Sequence, residues 1–315
     1  MVQPLFLQPV LQERIWGGTT LRDEFGYAIP SETTGECWGI SAHPNGPSIV
    51  ENGPFAGKTL DALWKEYPEL FGNPTGEVFP LLTKVLDAND DLSVQVHPND
   101  TYARVYENGE LGKTECWYII DCKEDADMIF GHTAQTKEEF EAMIAEGKWN
   151  SLLRRVKIKP GDFFYVPSGT IHALCRGTLV LETQQSSDTT YRVYDYDRTD
   201  KAGNKRELHL EKAIDVTTVP HEEKSTEYRV ERAEGAAITT FVEEEYFSVY
   251  KWDVDGSYIH ERSAPFLLCS VLDGQGSIET GEGVFPFEKG AHFIIPAGLD
   301  SFTITGKISL MVSHP

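Results

Sequence analysis

One pattern occurs twice in this chain of 315 residues, and it limits the possible folds more than any other feature. Residues 161–172 read GDFFYVPSGTIH and residues 290–301 read GAHFIIPAGLDS. Gly161, Pro167 and Gly169 align with Gly290, Pro296 and Gly298. Each copy is a glycine, an apolar run of strand character and a Pro-x-Gly turn. Such a turn combines the fixed φ of proline with the permissive φ of glycine. Two copies predict two related strand–turn–strand units, and hence two similar β domains.

The surrounding sequence agrees. FPLLTKVLDAND, DLSVQVHP, ECWYIID, DFFYVPSG, GTLVLETQQ and YRVYDYD are rich in β-branched and aromatic residues and are split by turn formers. Helical signals are sparse. Leu60, Leu63, Trp64 and Tyr67 follow helical spacing after Thr59 as N-cap. Thr136 and Glu139 form a capping box before Phe140, Met143 and Ile144. LHLEKAIDV near 208–216 is a third candidate. The charged segment 221–235 reads as a linker or a solvated strand pair. We expect a mainly β fold of two cupin-like jelly-roll barrels with a few short helices, because the repeat resembles the second motif of the cupin family. The expected domains are 1–220, catalytic, and 221–315, without metal. In cupins the last motif position is a metal-binding His. His172 keeps it, whereas Ser301 in the second copy does not.

Charge excludes several partners. Asp plus Glu total 50 against 28 Lys plus Arg, a net charge of −22. A uniformly acidic surface repels nucleic-acid phosphates and anionic lipid. No apolar run is long enough to span a membrane. MVQPLFLQPVLQERIW lacks a basic leader and a cleavage site, so it reads as mature protein. The cysteines Cys37, Cys116, Cys122, Cys175 and Cys269 are odd in number and scattered, with no C-x2-C pair. That pattern suits reduced thiols in the cytoplasm.

The chemistry concentrates in the first half. Gln95 and His97 lie two apart in an expected strand and so project to one face. With Glu115 and His172 they form a mixed N/O donor set suited to Zn²⁺, or to Mn²⁺, Co²⁺ or Fe²⁺ in its place. His43, His132, His209, His221, His260, His292 and His314 lack such neighbours and read as ordinary core or surface residues.

GECWGISAHPNGPS, LTKVLDANDDLSVQVHPND, GKTECWYII, VPSGTIHAL and LVLETQQSSDTTYRVYDYDR together resemble type I mannose-6-phosphate isomerases over residues 14–210, most of all the short bacterial form. The resemblance implies one zinc ion on Gln95, His97, Glu115 and His172. It implies active-site roles for Arg192, Lys113, Glu182 and Asp188, and substrate contacts from Ser93, Arg198, Trp16 and Glu36, with Ser93 and Arg198 near the phosphate. Glu115 and His172 are 57 positions apart, too close for the helical insertion domain of longer forms. Ala173-Leu174 stand where many relatives carry an aromatic residue.

Elementary chemistry agrees with such roles. Aldose–ketose isomerisation moves a proton between C2 and C1 through an enediol, so it needs an electrophile and a base. Glu182 or Lys113 can serve as base. Lys113 is expected on the Glu115 strand face, with its pKa pushed down beside a cation. Arg192 and Arg198 can bind a dianionic phosphate, and no nucleotide-binding glycine motif is present. A cupin oxygenase using His97, Glu115 and His172, or a non-enzymatic sugar-binding cupin, are the alternatives. The implied partner is a small sugar phosphate. The oligomeric state is not encoded in any motif.

Overall fold

In the computed structural model, which describes residues 2–199, 203–224 and 227–315, strands dominate and the α-helices are four to nine residues long. The first two-thirds of the chain builds two antiparallel sheets. One has six strands in the order Phe163–Val166, Glu115–Cys122, Thr178–Gln185, Leu81–Ala88, Thr34–Ile40, Val10–Gly18. The other has five, in the order Tyr191–Tyr194, Val94–Val96, His172–Leu174, Asp127–His132, Leu153–Lys157. Thr178–Gln185 and Leu81–Ala88 are buried at every position, because both faces of these central strands are covered.

The repeated motif crosses between the sheets. Phe163–Val166 pairs with Glu115–Cys122 in the first sheet, and His172–Leu174 pairs with Val94–Val96 in the second. Gly161 and Gly169 have φ of 92° and 85°, and Gly290 and Gly298 have 89° and 93°. All four need the left-handed region, which explains the shared glycines. The Gly169 N–H also donates to the His97 carbonyl at 2.9 Å, tying the turn to a site residue.

A nine-stranded sheet holds the rest, including the long strands Ser248–Glu261, Leu267–Thr280 and Ser301–His314. The N-terminal strand Leu5–Gln8 joins it, with Leu5 opposite Ile294 and Leu7 opposite His292. Among the described residues no ladder closes on itself, so the expected barrels are open sheets packed through side chains rather than hydrogen-bonded cylinders. One core runs through Leu5, Ile40, Phe71, Phe79, Phe247, Phe266 and Ile294, joining residues from both ends of the chain. Phe293 and Ile295 face a second core with Trp252 and Phe302.

The expected helices form at Leu60–Glu66, Lys137–Ala145 and Leu210–Val216. Thr59 occupies the N-cap, yet its side chain makes no capping bond. Thr136 Oγ1 accepts from Glu139 N at 3.2 Å, while Glu139 returns its bond to Gln135 N rather than to Thr136. Within 221–235 the described residues form one exposed strand, Arg229–Ala233, whose partner Ala236–Glu243 lies beyond that segment.

Candidate active site

The six- and five-stranded sheets bring their functional side chains together in a cleft. Gln95 sits opposite His172 on one neighbouring strand and opposite Arg192 on the other. Its strand, Val94–Val96, ends one residue before His97, so His97 is placed by the residue after a strand rather than within one. The His97 Nδ1 contacts the Thr189 carbonyl at 2.9 Å, and the His172 Nδ1 contacts the Thr170 carbonyl at 2.8 Å. A carbonyl can only accept, so each Nδ1 carries the proton and each Nε2 keeps its lone pair. Those two Nε2 atoms lie 3.5 and 3.2 Å from the oxygens of Glu115.

All three side chains are buried, and His97 Nε2, His172 Nε2 and Glu115 Oε1 have no hydrogen-bond partner. Their ligating atoms fall within 4.8 Å of one another. Three acceptors facing one point with no hydrogen between them leave buried polar atoms unsatisfied, unless a cation sits there. Burial lowers the pKa of His97 well below its ordinary value and that of His172 to about 4, so both rings are neutral, the form that ligates metal.

Lys113 precedes the strand that begins at Glu115, and is not on its face as expected. Its backbone N–H donates to the Pro98 carbonyl, and its Nζ still turns inward to 2.9 Å from Glu115 Oε2. Burial by itself would lower its pKa, but Glu115 and Glu182 outweigh burial and raise it. Glu182 is buried and accepts from Trp117 Nε1 at 2.9 Å, with Lys84 at 3.6 Å and Lys113 at 4.0 Å. Burial, then Glu115, raise its pKa. Glu36 is clamped by Arg14 Nε and Nη2 at 2.8 and 3.0 Å and by Trp38 Nε1 at 2.6 Å. Burial pushes its pKa up, but Lys84 and Arg14 hold it below the usual range.

The cleft is lined by Trp16, Glu36, Ser93, Gln95, Lys113, Glu182, Asp188 and Arg192 from the sequence reading. Asp188 is exposed and accepts from Asn45 Nδ2 at 3.0 Å. Arg192 donates to Ser93 Oγ at 3.3 Å and to the Glu207 carbonyl at 2.8 Å, and its backbone N–H donates to His209 Nδ1 at 3.1 Å. Leu174 forms part of the cleft wall. Arg198 stands apart from the lining residues. It pairs with Asp195 at 2.6 Å, donates to the Asp91 carbonyl and lies 5.1 Å over the Tyr196 ring.

Sequence reasoning missed Arg14, Lys84 and Arg206, which also line the cleft. Lys84 had a signal, as a lone cation in the apolar run FPLLTKVLD. Arg14 lies two positions before Trp16 in the same strand and so shares its face. Gly35 admits both, since a Cβ there would stand 2.7 Å from the Trp16 ring and 2.8 Å from Arg14 Cβ. Arg206 follows the strands, in a loop with no local pattern to mark it. Ser301, the second-copy counterpart of His172, is exposed and bonds Glu261. His292 is a satisfied core residue, bonded to Ser270 Oγ at 2.8 Å and Tyr27 Oη at 2.9 Å.

A two-sheet β scaffold with a buried His₂Glu cluster next to a cation-rich cleft defines a cupin-class protein with a candidate metal site. The family model for the phosphomannose isomerase type I catalytic domain matches residues 5–129, and that for the mannose-6-phosphate isomerase cupin domain matches 237–315. The mannose-6-phosphate isomerase ManA of Bacillus subtilis is 58% identical over 99% of both chains. The mannose-6-phosphate isomerase of Streptococcus mutans is 54% identical over all of this chain and 99% of its own. A crystal structure of the mannose 6-phosphate isomerase from Bacillus subtilis superposes with a TM-score of 0.97 at 59% identity, over 99% of both chains. The chain belongs to the mannose-6-phosphate isomerase family, enzymes of the aldose–ketose isomerase class.

Proposed function

We propose that the protein interconverts mannose 6-phosphate and fructose 6-phosphate through an enediol, with one zinc ion on His97, Glu115, His172 and Gln95. The observation that carries this reading is the inward pair of Nε2 lone pairs facing Glu115 beside the buried carboxylate of Glu182. The ion would supply an electrophile for the sugar oxygens at C1 and C2. Gln95, in register with His172, adds a neutral oxygen donor.

The chain's own residues do the rest. Glu182 takes the proton from one carbon and returns it to the other. It is the best-suited cleft carboxylate, because Glu36 is clamped by Arg14 and Trp38, Asp188 is exposed, and Glu115 belongs to the metal set. The Trp117 N–H fixes one Glu182 oxygen and leaves the other toward the lysines. Lys84 and Lys113 offer N–H donors to the oxygen that gains charge in the enediol. Arg192, adjacent to Gln95 in the sheet, bridges the reacting end and the phosphate end, with Ser93 beside it. Trp16, Leu86, Leu92 and Leu174 form apolar wall that limits water. Residues 1–220 carry this chemistry, and 221–315 support it by burying shared core. Five free cysteines are consistent with a cytoplasmic setting.

A coupled assay for fructose 6-phosphate formation, with and without a chelator, tests the reading. Turnover that is lost on chelation and restored by zinc, with circular dichroism unchanged, is expected. Full turnover in verified metal-free protein would overturn the metal role. Oxygen uptake on sugar substrates without isomerisation would favour an oxygenase instead.

A further inference from the structure

In a chain of net charge −22, three guanidinium groups gather beside one carboxylate at the edge of the cleft. Asp195 is 5% exposed and accepts from Arg198 Nη2 at 2.6 Å, from Arg206 Nε at 2.7 Å, and from Arg206 Nη2. Arg206 is therefore held at two points, in the planar fork that suits a guanidinium. That grip uses its Nε–Nη2 edge, so the edge bearing Nη1 points away from the carboxylate. Arg206 lines the cleft together with Arg192. The Arg192 guanidinium donates to neutral acceptors, the Ser93 hydroxyl and the Glu207 carbonyl. Burial, and then Arg206, lower the Arg192 pKa, as expected for neighbouring like charges.

Three guanidinium charges against Asp195 leave two positive charges, apart from the exposed Asp90 at 3.7 Å from Arg198. A phosphate monoester carries close to two negative charges at neutral pH. With Asp90 counted the surplus is one, still opposite in sign to the phosphate, and Arg192 lies in register with Gln95, which links this cluster to the strand of the candidate metal set.

Resting on the sugar-phosphate reading above, we propose that Arg206 determines specificity for the phosphate group of the substrate, and that Asp195 is its positioning residue. Arg198 takes the second place on Asp195 and stacks on Tyr196, so it braces the carboxylate from outside the cleft. The role that the sequence resemblance implies for Arg198 thus passes to Arg206. A fork pinned in advance loses little side-chain freedom when the anion arrives, which is why a buried carboxylate is useful beside an anion site.

The test uses the metal-loaded full chain, with mannose 6-phosphate as substrate and inorganic phosphate as a competitive inhibitor. Arg206→Ala should raise KM and the inhibition constant for phosphate together, each by roughly 10- to 100-fold, with kcat within about threefold. Arg206→Lys should recover part of both losses, since it restores charge without the fork. Asp195→Asn makes the cluster more positive. If charge alone mattered, phosphate would bind more tightly, whereas positioning predicts weaker binding. Unchanged KM and phosphate inhibition in both Arg206 variants would overturn the assignment, and tighter phosphate binding in Asp195→Asn would overturn the role of Asp195. Wild-type protein that binds phosphate in calorimetry but does not isomerise mannose 6-phosphate would defeat the catalytic reading alone. Loss of that binding in Arg206→Ala would still support Arg206 as the anion residue.

Discussion

Glu182→Gln separates proton transfer from structure, because the amide keeps an acceptor for Trp117 Nε1 while the charge is lost. The charge sits between Lys84 at 3.6 Å and Lys113 at 4.0 Å. At an effective dielectric near ~20, those two attractions are worth about 5 and about 4 kcal/mol. Burying the carboxylate costs several kcal/mol, and the repulsion from Glu115 that vanishes with it offsets more. Burial and Glu115 outweigh the two lysines, since they hold the Glu182 pKa above its ordinary value, so the charge adds no net stability and the variant should unfold within about 1 kcal/mol of wild type. Urea unfolding of metal-loaded protein should therefore show a midpoint near wild type with an unchanged slope, since the folded surface does not change. In turnover, kcat should fall by at least about 100-fold, with KM within about fivefold, because a proton-transfer group acts at the transition state. The double variant Lys84→Met/Glu182→Gln should recover none of the rate. A single variant destabilised by about 3 kcal/mol or more would refute the electrostatic balance, and one that keeps kcat within about tenfold would refute the base assignment.

His172→Ala should weaken zinc binding by at least about 100-fold, read by metal analysis after dialysis, while the circular dichroism spectrum stays near wild type. Arg192→Ala should lower kcat more than it raises KM, the reverse of Arg206→Ala, because its register neighbour is Gln95 at the metal end. His292, which is not among the cleft-lining residues, gives a separate pH signature. Burial holds its pKa at about 4, below the ordinary 6.5. The unfolded chain therefore binds its proton first, and the stabilising contribution, complete above about pH 6.5, is lost as pH falls toward 4. The expected loss is about 3 kcal/mol across that window. In urea titrations His292→Gln should show a flatter dependence on pH than wild type between those limits.

The turn chemistry was legible from sequence because it is local. Gly161, Gly169, Gly290 and Gly298 each adopt positive φ, a requirement written into the chain residue by residue. The strand character of ECWYIID and LVLETQQ, and the helix stripe at Leu60, Leu63 and Trp64, are local periodicities of the same kind. The candidate metal set could be read because its histidines lie at strand ends next to recognisable motifs.

Other features depend on what the chain meets after it folds. The spacing places Lys113 on the Glu115 strand, yet it lies before that strand, and its electrostatic partners are two carboxylates from different strands. Arg198 and Arg206 are eight positions apart, and nothing in their spacing tells which one enters the cleft. Asp195 decides it, by holding both guanidinium groups in fixed directions. The chain's first strand pairs with the second repeat, Leu5 opposite Ile294, a partnership set by complementary apolar faces across almost the whole length of the sequence. Sequence alone determined the local backbone geometry, the β-rich class and the donor types available for chemistry. Tertiary structure alone decided which charges share a buried space, because electrostatic pairing and burial depend on distance through the fold, not distance along the chain.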